Sequence, residues 1–395
     1  MFNSRSLTIL CGLVLAVCTA FLGVRLRAAG IDPTSVVMIV ERDSNDIAFM
    51  DIKTNKIVGK VFLGNNVNPH MVMMSPDGRY VVTGGTRANK AYIIDVATLK
   101  LVKVIPVDIA PEHLSFSPDS RWYYQGNPQG DSIAVIDMQS LTKIKTITGL
   151  VEPLNVTFLP DGSKAYVGNY GAHWVGVIDV RRHELLKKID VAQVPGVAKL
   201  DPAKYLGEIK GINYAAPTTD GKYLYAADSD LGVVGKIDTR EDKVIKVIRV
   251  GPDPWRIYMS HDGKYAITPN NGDNTISIID LQADKVAATL EAGPNMTGVN
   301  YAAGKAFVIS STSGFVYVYD MKTLRPAGRI KVGTNVQLET ATTDIADEKL
   351  YLADSTENAV VIIDAKTQQM TKITEGIGQF PWGTHIMDSK DNYCH

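Results

Sequence analysis

The chain repeats one short pattern eight times, and this repetition limits its fold more than any other feature. Each copy is a run of β-branched or apolar residues that ends in Asp, followed by a turn and a second, more basic run. Successive Asp residues are separated by 44, 42, 42, 59, 42, 40 and 44 positions. They are Asp51, Asp95, Asp137, Asp179, Asp238, Asp280, Asp320 and Asp364. A fixed period near 40 residues with strand-rich units predicts a β-propeller.

A second pattern alternates with the first and completes the unit. Turn sequences such as "SPDGRY" (75–80), "SPDSRW" (117–122) and "SHDGKY" (260–265) join two runs rich in Val, Ile and Tyr. Proline restricts φ before the Asp and glycine supplies a positive φ, so these sequences predict tight turns between antiparallel strands. Each unit therefore has four strands, which we call a to d in chain order. The repeated Asp is expected to be a structural acceptor in a turn.

Counting the strands indicates how the ring closes. Strands b, c and d occur eight times, beginning with "VVMIVERD" (36–43), but strand a occurs only seven times before the final segment. The tail "HIMDSKDN" (385–392) aligns with "HLSFSPDS" (113–120), since both read His-x-x-x-Ser-x-Asp. We therefore expect an all-β, eight-bladed propeller over residues 30–395, in which the C-terminal tail supplies strand a of the blade begun by the N-terminal segment. A seven-bladed ring is the alternative, if one degenerate unit does not form.

Residues 1–29 differ from the repeats and are expected to direct export. Arg5 precedes an uncharged apolar run at 7–24, and Arg25, Arg27 and two alanines follow it. This order is typical of an export signal, although the run is also long enough for an uncleaved anchor. The protein is therefore expected in the periplasm or an equivalent extracytoplasmic compartment, with membrane contact only through an uncleaved N-terminal segment.

Cysteine usage and charge exclude several classes of function. Cys11 and Cys18 lie in the apolar run, so the mature chain has Cys394 as its only thiol and no internal disulfide. The ending Cys394-His395 lacks the Cys-x-x-Cys-His of covalent haem attachment, which favours a surface tail. A net charge of −1 indicates no nucleic-acid partner. Hydrolase, dehydrogenase and nucleotide-binding motifs are not found in the sequence.

Three histidines mark one end of the predicted channel, where the innermost strands begin. His70, His113 and His385 align near this end in three consecutive blades. Imidazoles from neighbouring inner strands can converge on a metal or a tetrapyrrole iron, while the alternative is that they hydrogen-bond to the backbone. The remaining histidines, which fall at turns or outer edges and are expected to be solvated, are His173, His183 and His261.

One connection between strands d and a is longer than the others by ~17 residues, over 191–211. Long loops in compact repeats often bind partners, and the alternative is a surface excursion without function. Asp253 lies on the same face, between the two prolines of "GPDPW" (251–255), where a cation ligand or a stiff turn is possible. The predicted partner contacts on this face are Pro195, Tyr205, Leu206 and Trp255.

Residues 36–392 resemble propeller repeats of the YVTN type. The opening "VVMIVERDSNDIAFMDI" (36–52), followed by "NPHMVMMSPDGRYVVTGG" (68–85), is similar to the start of cytochrome-d1-type propellers. That family includes the haem-bearing domain of cytochrome cd1 nitrite reductase and the accessory protein of haem d1 synthesis. The resemblance implies an eight-bladed fold and a histidine that faces a tetrapyrrole, for which His70 stands at the matching position.

In size, export signal and architecture the chain also resembles the propeller (β) subunit of hydrazine synthase from anaerobic ammonium oxidisers. This resemblance implies a haem-free interaction subunit, not catalytic alone, in an extracytoplasmic haem redox complex of nitrogen metabolism. Its expected partner is a multihaem cytochrome or another redox subunit. The alternatives are a d1-type protein that binds haem or another tetrapyrrole through His70, with His113 or His385, and a free-standing YVTN surface protein.

Overall fold

The computed structural model describes residues 31–191 and 209–391, which form eight four-stranded antiparallel sheets. The predicted eight-bladed propeller is confirmed, and the seven-bladed alternative is wrong. Blades 1 and 2 contain β1 (Val36–Glu41), β2 (Asp46–Asp51), β3 (Ile57–Phe62) and β32 (Pro381–His385), and β4 (Pro69–Met74), β5 (Tyr80–Gly85), β6 (Lys90–Asp95) and β7 (Lys100–Pro106). Blades 3 and 4 contain β8 (Leu114–Phe116), β9 (Trp122–Asn127), β10 (Ser132–Asp137) and β11 (Thr142–Ile147), and β12 (Pro153–Phe158), β13 (Lys164–Asn169), β14 (Trp174–Asp179) and β15 (Glu184–Asp190).

The second half of the ring follows the same plan, and short 3₁₀ turns lie at Pro33–Ser35 and Pro128–Gly130. Blades 5 and 6 contain β16 (Ile212–Pro217), β17 (Tyr223–Asp228), β18 (Val233–Asp238) and β19 (Lys243–Arg249), and β20 (Tyr258–Met259), β21 (Tyr265–Asn270), β22 (Thr275–Asp280) and β23 (Lys285–Glu291). Blades 7 and 8 contain β24 (Met296–Ala302), β25 (Lys305–Ser310), β26 (Phe315–Asp320) and β27 (Arg325–Lys331), and β28 (Leu338–Thr343), β29 (Lys349–Asp354), β30 (Ala359–Asp364) and β31 (Met370–Ile373).

The apolar core lies between successive blades. Strand a of most blades contacts strand a of the next, so these strands surround the central axis. Strands b and c are covered on both faces, and β5 is buried along its whole length. Strand d is the outer edge, and β23 alternates exposed and half-buried residues. This arrangement explains the sequence pattern, because two-sided burial selects continuous apolar runs and an outer edge selects alternating polar residues.

The two chain ends complete blade 1, as the strand count predicted. In this blade β1 pairs with β32, and Met38 lies opposite His385 while Ile39 lies opposite Thr384. The predicted boundaries of the last strand were wrong, since it spans 381–385 and not 385–392. The predicted alignment used the Ser-x-Asp of a hairpin turn. No hairpin joins β32 to β1, because the two strands belong to opposite ends of the chain, so that spacing is not constrained here.

The repeated Asp residues accept backbone hydrogen bonds, as expected of turn acceptors. Asp51 Oδ1 accepts from the Thr54 amide at 2.7 Å, and Asp95 Oδ1 accepts from the Thr98 amide at 2.9 Å. At each of the other six positions the Asp likewise accepts from the amide three residues on. These eight carboxylates hold the turns between strands c and d and are not candidates for chemistry.

Candidate functional site at the channel mouth

The first residues of the inner strands form one end of the channel, which we call the mouth. His70 follows Pro69 at the start of β4, and His113 directly precedes β8. Their rings meet edge to face, with centroids 5.8 Å apart, and both side chains are buried. His113 Nδ1 also lies 3.2 Å from Asn155 Oδ1 in blade 4. The structure thus brings two of the three predicted histidines together, and their role as ligands stays a prediction.

His385 lies deeper in the channel than the sequence alignment placed it. It pairs with Met38 in blade 1, as Met73 pairs with Val82 in blade 2. The register therefore puts His385 at the level of Met73, and Trp382 at the level of His70. Burial lowers the pKa of His385 to about 3, so its ring is neutral at physiological pH. The predicted alignment of His385 with His113 is therefore off by two residues, and its role as a ligand stays a prediction.

A cation stacked on aromatic rings borders the histidine pair. The Arg42 guanidinium lies 4.2 Å from the centre of the Trp382 ring and 5.9 Å from that of Phe380. Its terminal nitrogen donates to Asn68 Oδ1 at 2.8 Å. The Trp382 ring in turn lies 5.4 Å from the ring of His70. Arg42, Phe380 and Trp382 are each partly exposed, so this group forms the accessible rim above His70.

Carboxylates face this rim from both sides. Glu112 Oε2 lies 4.0 Å from His113 Nε2, and burial raises the pKa of Glu112, although the charge of Arg42 opposes the shift. Burial lowers the pKa of Arg42, while the charges of Glu112 and Glu339 oppose that change. This half-buried surface thus carries the positive charge of Arg42 beside the negative charges of Glu112 and Glu339. Such a surface is complementary to a polar partner that also carries charges of both signs.

The opposite half of the mouth carries the predicted residues Asp253 and Trp255. Asp253 adopts a left-handed φ of 51°, and its carboxylate lies 3.6 Å from Lys210 Nζ. The Trp255 ring is 5.8 Å from the ring of Tyr170, and both are partly exposed. Over residues 31–191 and 209–391, no group of three or more His, Cys, Asp or Glu side chains is arranged to hold a metal ion. A cation at Asp253 stays a prediction.

Arg256 and Asn213 form a buried pair that the sequence analysis did not single out. The Arg256 side chain is completely buried, and its Nε donates to Asn213 Oδ1 at 2.8 Å. The sequence did contain one indication of this pair. Arg256 of blade 6 occupies a position at which other blades carry neutral residues, such as Met71 and Asn155. Pattern alone could not show that this arginine is enclosed with no carboxylate paired to it among residues 31–191 and 209–391.

The other end of the channel, which we call the turn end, is covered by the C-terminal tail. The Asp391 carboxylate accepts from the Tyr301 amide and from Thr343 Oγ1 at 3.0 Å, and it lies 2.9 Å from His261 Nε2. Asp347 faces the other ring nitrogen of His261 at 3.2 Å. The tail therefore joins blades 6, 7 and 8, and its final described residue is fully buried.

The expectation that the three remaining histidines are solvated is wrong. His261 is held between two carboxylates, and its side chain is 14% exposed. His173 Nδ1 lies 2.9 Å from Asp228 Oδ2, and His183 Nδ1 lies 2.7 Å from the Tyr124 hydroxyl. A turn sequence shows that a residue follows a strand, but it does not show that another blade or the tail covers that turn.

Several predictions fall on residues outside the described ranges. Pro195, Tyr205 and Leu206 of the long connection, the proposed export segment and Cys394 all lie there, and the predictions about them are unchanged. Among residues 31–191 and 209–391, no helix has the length and apolar character needed to cross a membrane.

The eight four-stranded blades define the class of this molecule as an eight-bladed β-propeller. It is similar to dihydro-heme d1 dehydrogenase NirN in complex with DHE, with a TM-score of 0.73 and 18% identity over 90% of this chain and 76% of that one. It is also similar to a chain of Kuenenia stuttgartiensis hydrazine synthase, with a TM-score of 0.57 and 21% identity over 77% of this chain and 97% of that one.

A third similar structure is a functionally unknown protein from Desulfotomaculum acetoxidans DSM 771, with a TM-score of 0.57 and 14% identity over 89% of this chain and 98% of that one. No protein-family model matches the sequence, and no curated protein matches it. At these identities the similarity establishes the shared fold, while function has to be argued from the site.

Proposed function

We propose that this protein is an exported propeller subunit that docks through its mouth onto a multihaem cytochrome or another redox subunit of an extracytoplasmic haem complex in nitrogen metabolism. The observation that carries the proposal is the residue content of the mouth. Partly exposed arginine and aromatic side chains surround it, namely Arg42, Tyr170, Trp255, Phe380 and Trp382. Tryptophan, tyrosine and arginine are the residues that most often dominate the binding energy of protein interfaces.

The fold provides the rest of the argument. The mouth residues sit at the ends of strands anchored in the core, so their positions are fixed before a partner arrives. Similarity to a hydrazine synthase chain supports a role in an assembly, and similarity to a dehydrogenase that acts on a haem d1 precursor supports a link to haem chemistry. Export is supported by the sequence of residues 1–29.

The docking proposal is tested with a matched pair of double variants. Arg42→Ala/Trp382→Ala removes a cation–aromatic pair with a separation of 4.2 Å at the mouth. Arg121→Ala/Trp122→Ala removes a similar pair, 4.8 Å apart, at the start of β9 on the turn side. The mature chain is mixed with a purified multihaem cytochrome encoded beside it, and complex formation is measured by sedimentation at the haem absorption band.

The mouth variant is expected to weaken the complex by roughly 30-fold or more, because each hot-spot truncation costs about 2 kcal/mol. The control variant is expected to bind like the wild type. Equal weakening by both variants, or none by either, would contradict docking at the mouth.

A second candidate function is direct binding of a tetrapyrrole, favoured by the 5.8 Å separation of the His70 and His113 rings. In that case His70 would approach the iron, and Asn155 would orient His113 through its Nδ1. Purified protein titrated with haem should then show a saturable Soret shift that disappears in His70→Ala and persists in the deeper variant His385→Gln. Wild-type protein without a Soret shift would remove this candidate and leave docking in place.

A further inference from the structure

Arg256 is a buried cation whose hydrogen-bonding capacity is mostly unused. Its side chain is completely buried, and among the described residues its one hydrogen bond runs from Nε to Asn213 Oδ1, while the guanidinium lies 5.9 Å from the centre of the Trp255 ring. Within the part of the chain that the structure describes, both terminal guanidinium nitrogens have no hydrogen-bond partner. The amide nitrogen of Asn213 has none either. Three buried nitrogen donors from two adjacent blades thus lack acceptors.

A buried charge with three unsatisfied donors destabilises the protein when no ligand is bound. Buried polar groups are nearly always hydrogen-bonded, and a buried charge is normally paired with an opposite charge. Every unsatisfied atom of the pair is a donor, because guanidinium and amide nitrogens have no acceptor capacity. A water molecule would satisfy one or two donors but would not neutralise the charge. An anion would do both.

The geometry narrows the shape of that anion. Because Nε is already used by Asn213, the two terminal nitrogens are the remaining edge of the guanidinium. This planar fork matches two oxygen atoms of a planar anion in a bidentate arrangement. A carboxylate, nitrite or nitrate has that planar shape. Phosphate is tetrahedral, and it also carries more negative charge than the single guanidinium balances.

A cavity lies next to a neighbour of the pair, although Arg256 and Asn213 do not line it themselves. Tyr214 directly follows Asn213 and lines a cavity of about 240 Å³, together with Asn155 and Thr157 of blade 4. Burial raises the pKa of Tyr214, although the hydroxyl of Thr157 and the charge of Arg256 oppose that shift, so the phenol lies within the electrostatic reach of Arg256. Tyr214 therefore borders this cavity and is also influenced by the charge of Arg256.

We propose that Arg256 and Asn213 form a binding site within the channel for a small planar oxyanion, either free or as the carboxylate of a larger ligand. The site is separate from the Arg42–Trp382 rim, and it goes beyond docking, since it needs no partner subunit. An anion bound there would neutralise the charge of Arg256. Among the described residues, this is the only buried charge at the inner strands of blades 5 and 6 that has no carboxylate partner.

The test is the stability of the mature chain as a function of anion concentration at constant ionic strength. Formate, nitrite and nitrate are expected to raise the melting temperature in a saturable manner, because a ligand that binds only the folded state stabilises it. Benzoate distinguishes the source, since stronger binding of benzoate indicates the carboxylate of a larger ligand and its exclusion indicates a free small anion. If none of the four anions has a saturable effect on the wild type, the proposal is overturned.

Two variants and a control locate the effect. Arg256→Met is expected to weaken anion binding at least tenfold, and Asn213→Ala, which keeps the charge, is expected to weaken it less. The exposed Arg87, in the turn between β5 and β6, provides the control Arg87→Met, which should retain wild-type binding. Without anion, Arg256→Met should melt no lower than the wild type, because it removes an uncompensated buried charge. Equal anion binding by Arg256→Met and wild type would overturn the proposal, and in case Arg256→Met does not fold, unchanged binding by Asn213→Ala would do so.

Discussion

Two basic side chains of low exposure lie five residues apart on either side of β20, and their surroundings are opposite. His261, at the turn end, has a carboxylate facing each ring nitrogen, Asp391 at 2.9 Å and Asp347 at 3.2 Å. Arg256, at the mouth end, has no carboxylate and two unsatisfied terminal nitrogens among the described residues. A fully compensated cation is part of the scaffold, whereas a cation buried without compensation points to a ligand. The comparison therefore separates a structural end of the channel from a binding end.

The largest effect should come from removing the tail that joins blades 6, 7 and 8 at the turn end. Deleting residues 380–395 removes β32, exposes the edge of β1 and removes both carboxylate contacts of Asp391 with blades 7 and 8. The expected loss is several kcal/mol from a typical total of about 5–15 kcal/mol, so the truncated chain should be largely unfolded at 37 °C. Urea unfolding followed by tryptophan fluorescence measures it.

A chain that ends at Asp391 is the matched control for this deletion. It keeps β32 and the contacts of Asp391, so it should unfold close to the full-length midpoint. If the chain lacking 380–395 were as stable as this control, the closure of blade 1 would not stabilise the fold and the turn end would not be the structural end.

A single substitution tests whether the tail acts through His261. Asp391→Asn keeps the shape but removes the charge that faces His261, and it should destabilise the protein by about 3 kcal/mol, as expected when one partner of a buried pair is lost. The comparison variant is Asp347→Asn. Because Asp347 is 39% exposed, its loss should cost less than about 1 kcal/mol. Equal costs for the two variants would argue against a special role of the buried tail carboxylate.

The same contact predicts a pH dependence of stability. Burial alone would lower the pKa of His261, but the hydrogen bond and charge of Asp391, with Asp347, raise it above its ordinary value. Burial also raises the pKa of Asp391. Both groups therefore bind protons more strongly in the folded state than in the unfolded state.

The stabilisation by His261 should be fully present below its unfolded pKa of roughly 6.5 and should be lost as pH rises through the higher folded pKa. The measured quantity is the difference in unfolding free energy between wild type and His261→Gln from pH 5 to 9. This difference isolates His261 from His183 and His385, whose lowered pKa values give the opposite slope. A difference that grows with pH would contradict the assignment.

The smallest expected effect provides a baseline from the repeated turns. Asp95→Ala removes the acceptor of the Thr98 amide and hydroxyl, at 2.9 and 2.7 Å. The loss should be about 1 kcal/mol, the usual net value of such hydrogen bonds. Thermal unfolding measures it, and a loss as large as that of Asp391→Asn would mean that the turns, and not the tail, dominate stability.

The architecture could be predicted from the sequence because a propeller blade is formed by strands that follow one another in the chain. The turn Asp and the four-strand unit can be counted, and the shortage of one strand a predicts closure by the tail. The position of His385 could not be predicted by the same reasoning. A hairpin fixes the register of every other strand a, but β32 reaches β1 from the far end of the chain, so its register depends on tertiary packing.

The charges and hydrogen-bond partners around His261 and Arg256 could not be predicted from the sequence either. His70 and His113 were predicted to converge because both begin inner strands of adjacent blades. That His261 is compensated and Arg256 is not depends on side chains from other blades, such as Asp347, Asp391 and Asn213. The partners of His261 lie 86 and 130 residues away from it in the chain, and contacts at such separations produce no pattern that can be recognised in a short stretch of sequence.

The proposed difference between the two ends requires that the mouth end holds an anion and that the turn end does not. A crystal structure of the protein grown with bromide, an anomalously scattering monoanion, tests this claim at both ends at once. The predicted result is an anomalous peak within about 3.5 Å of the terminal nitrogens of Arg256, and no peak beside His261, where Asp391 and Asp347 already supply the negative charge. The contradicting result is a guanidinium bonded to protein acceptors with no anomalous peak near it.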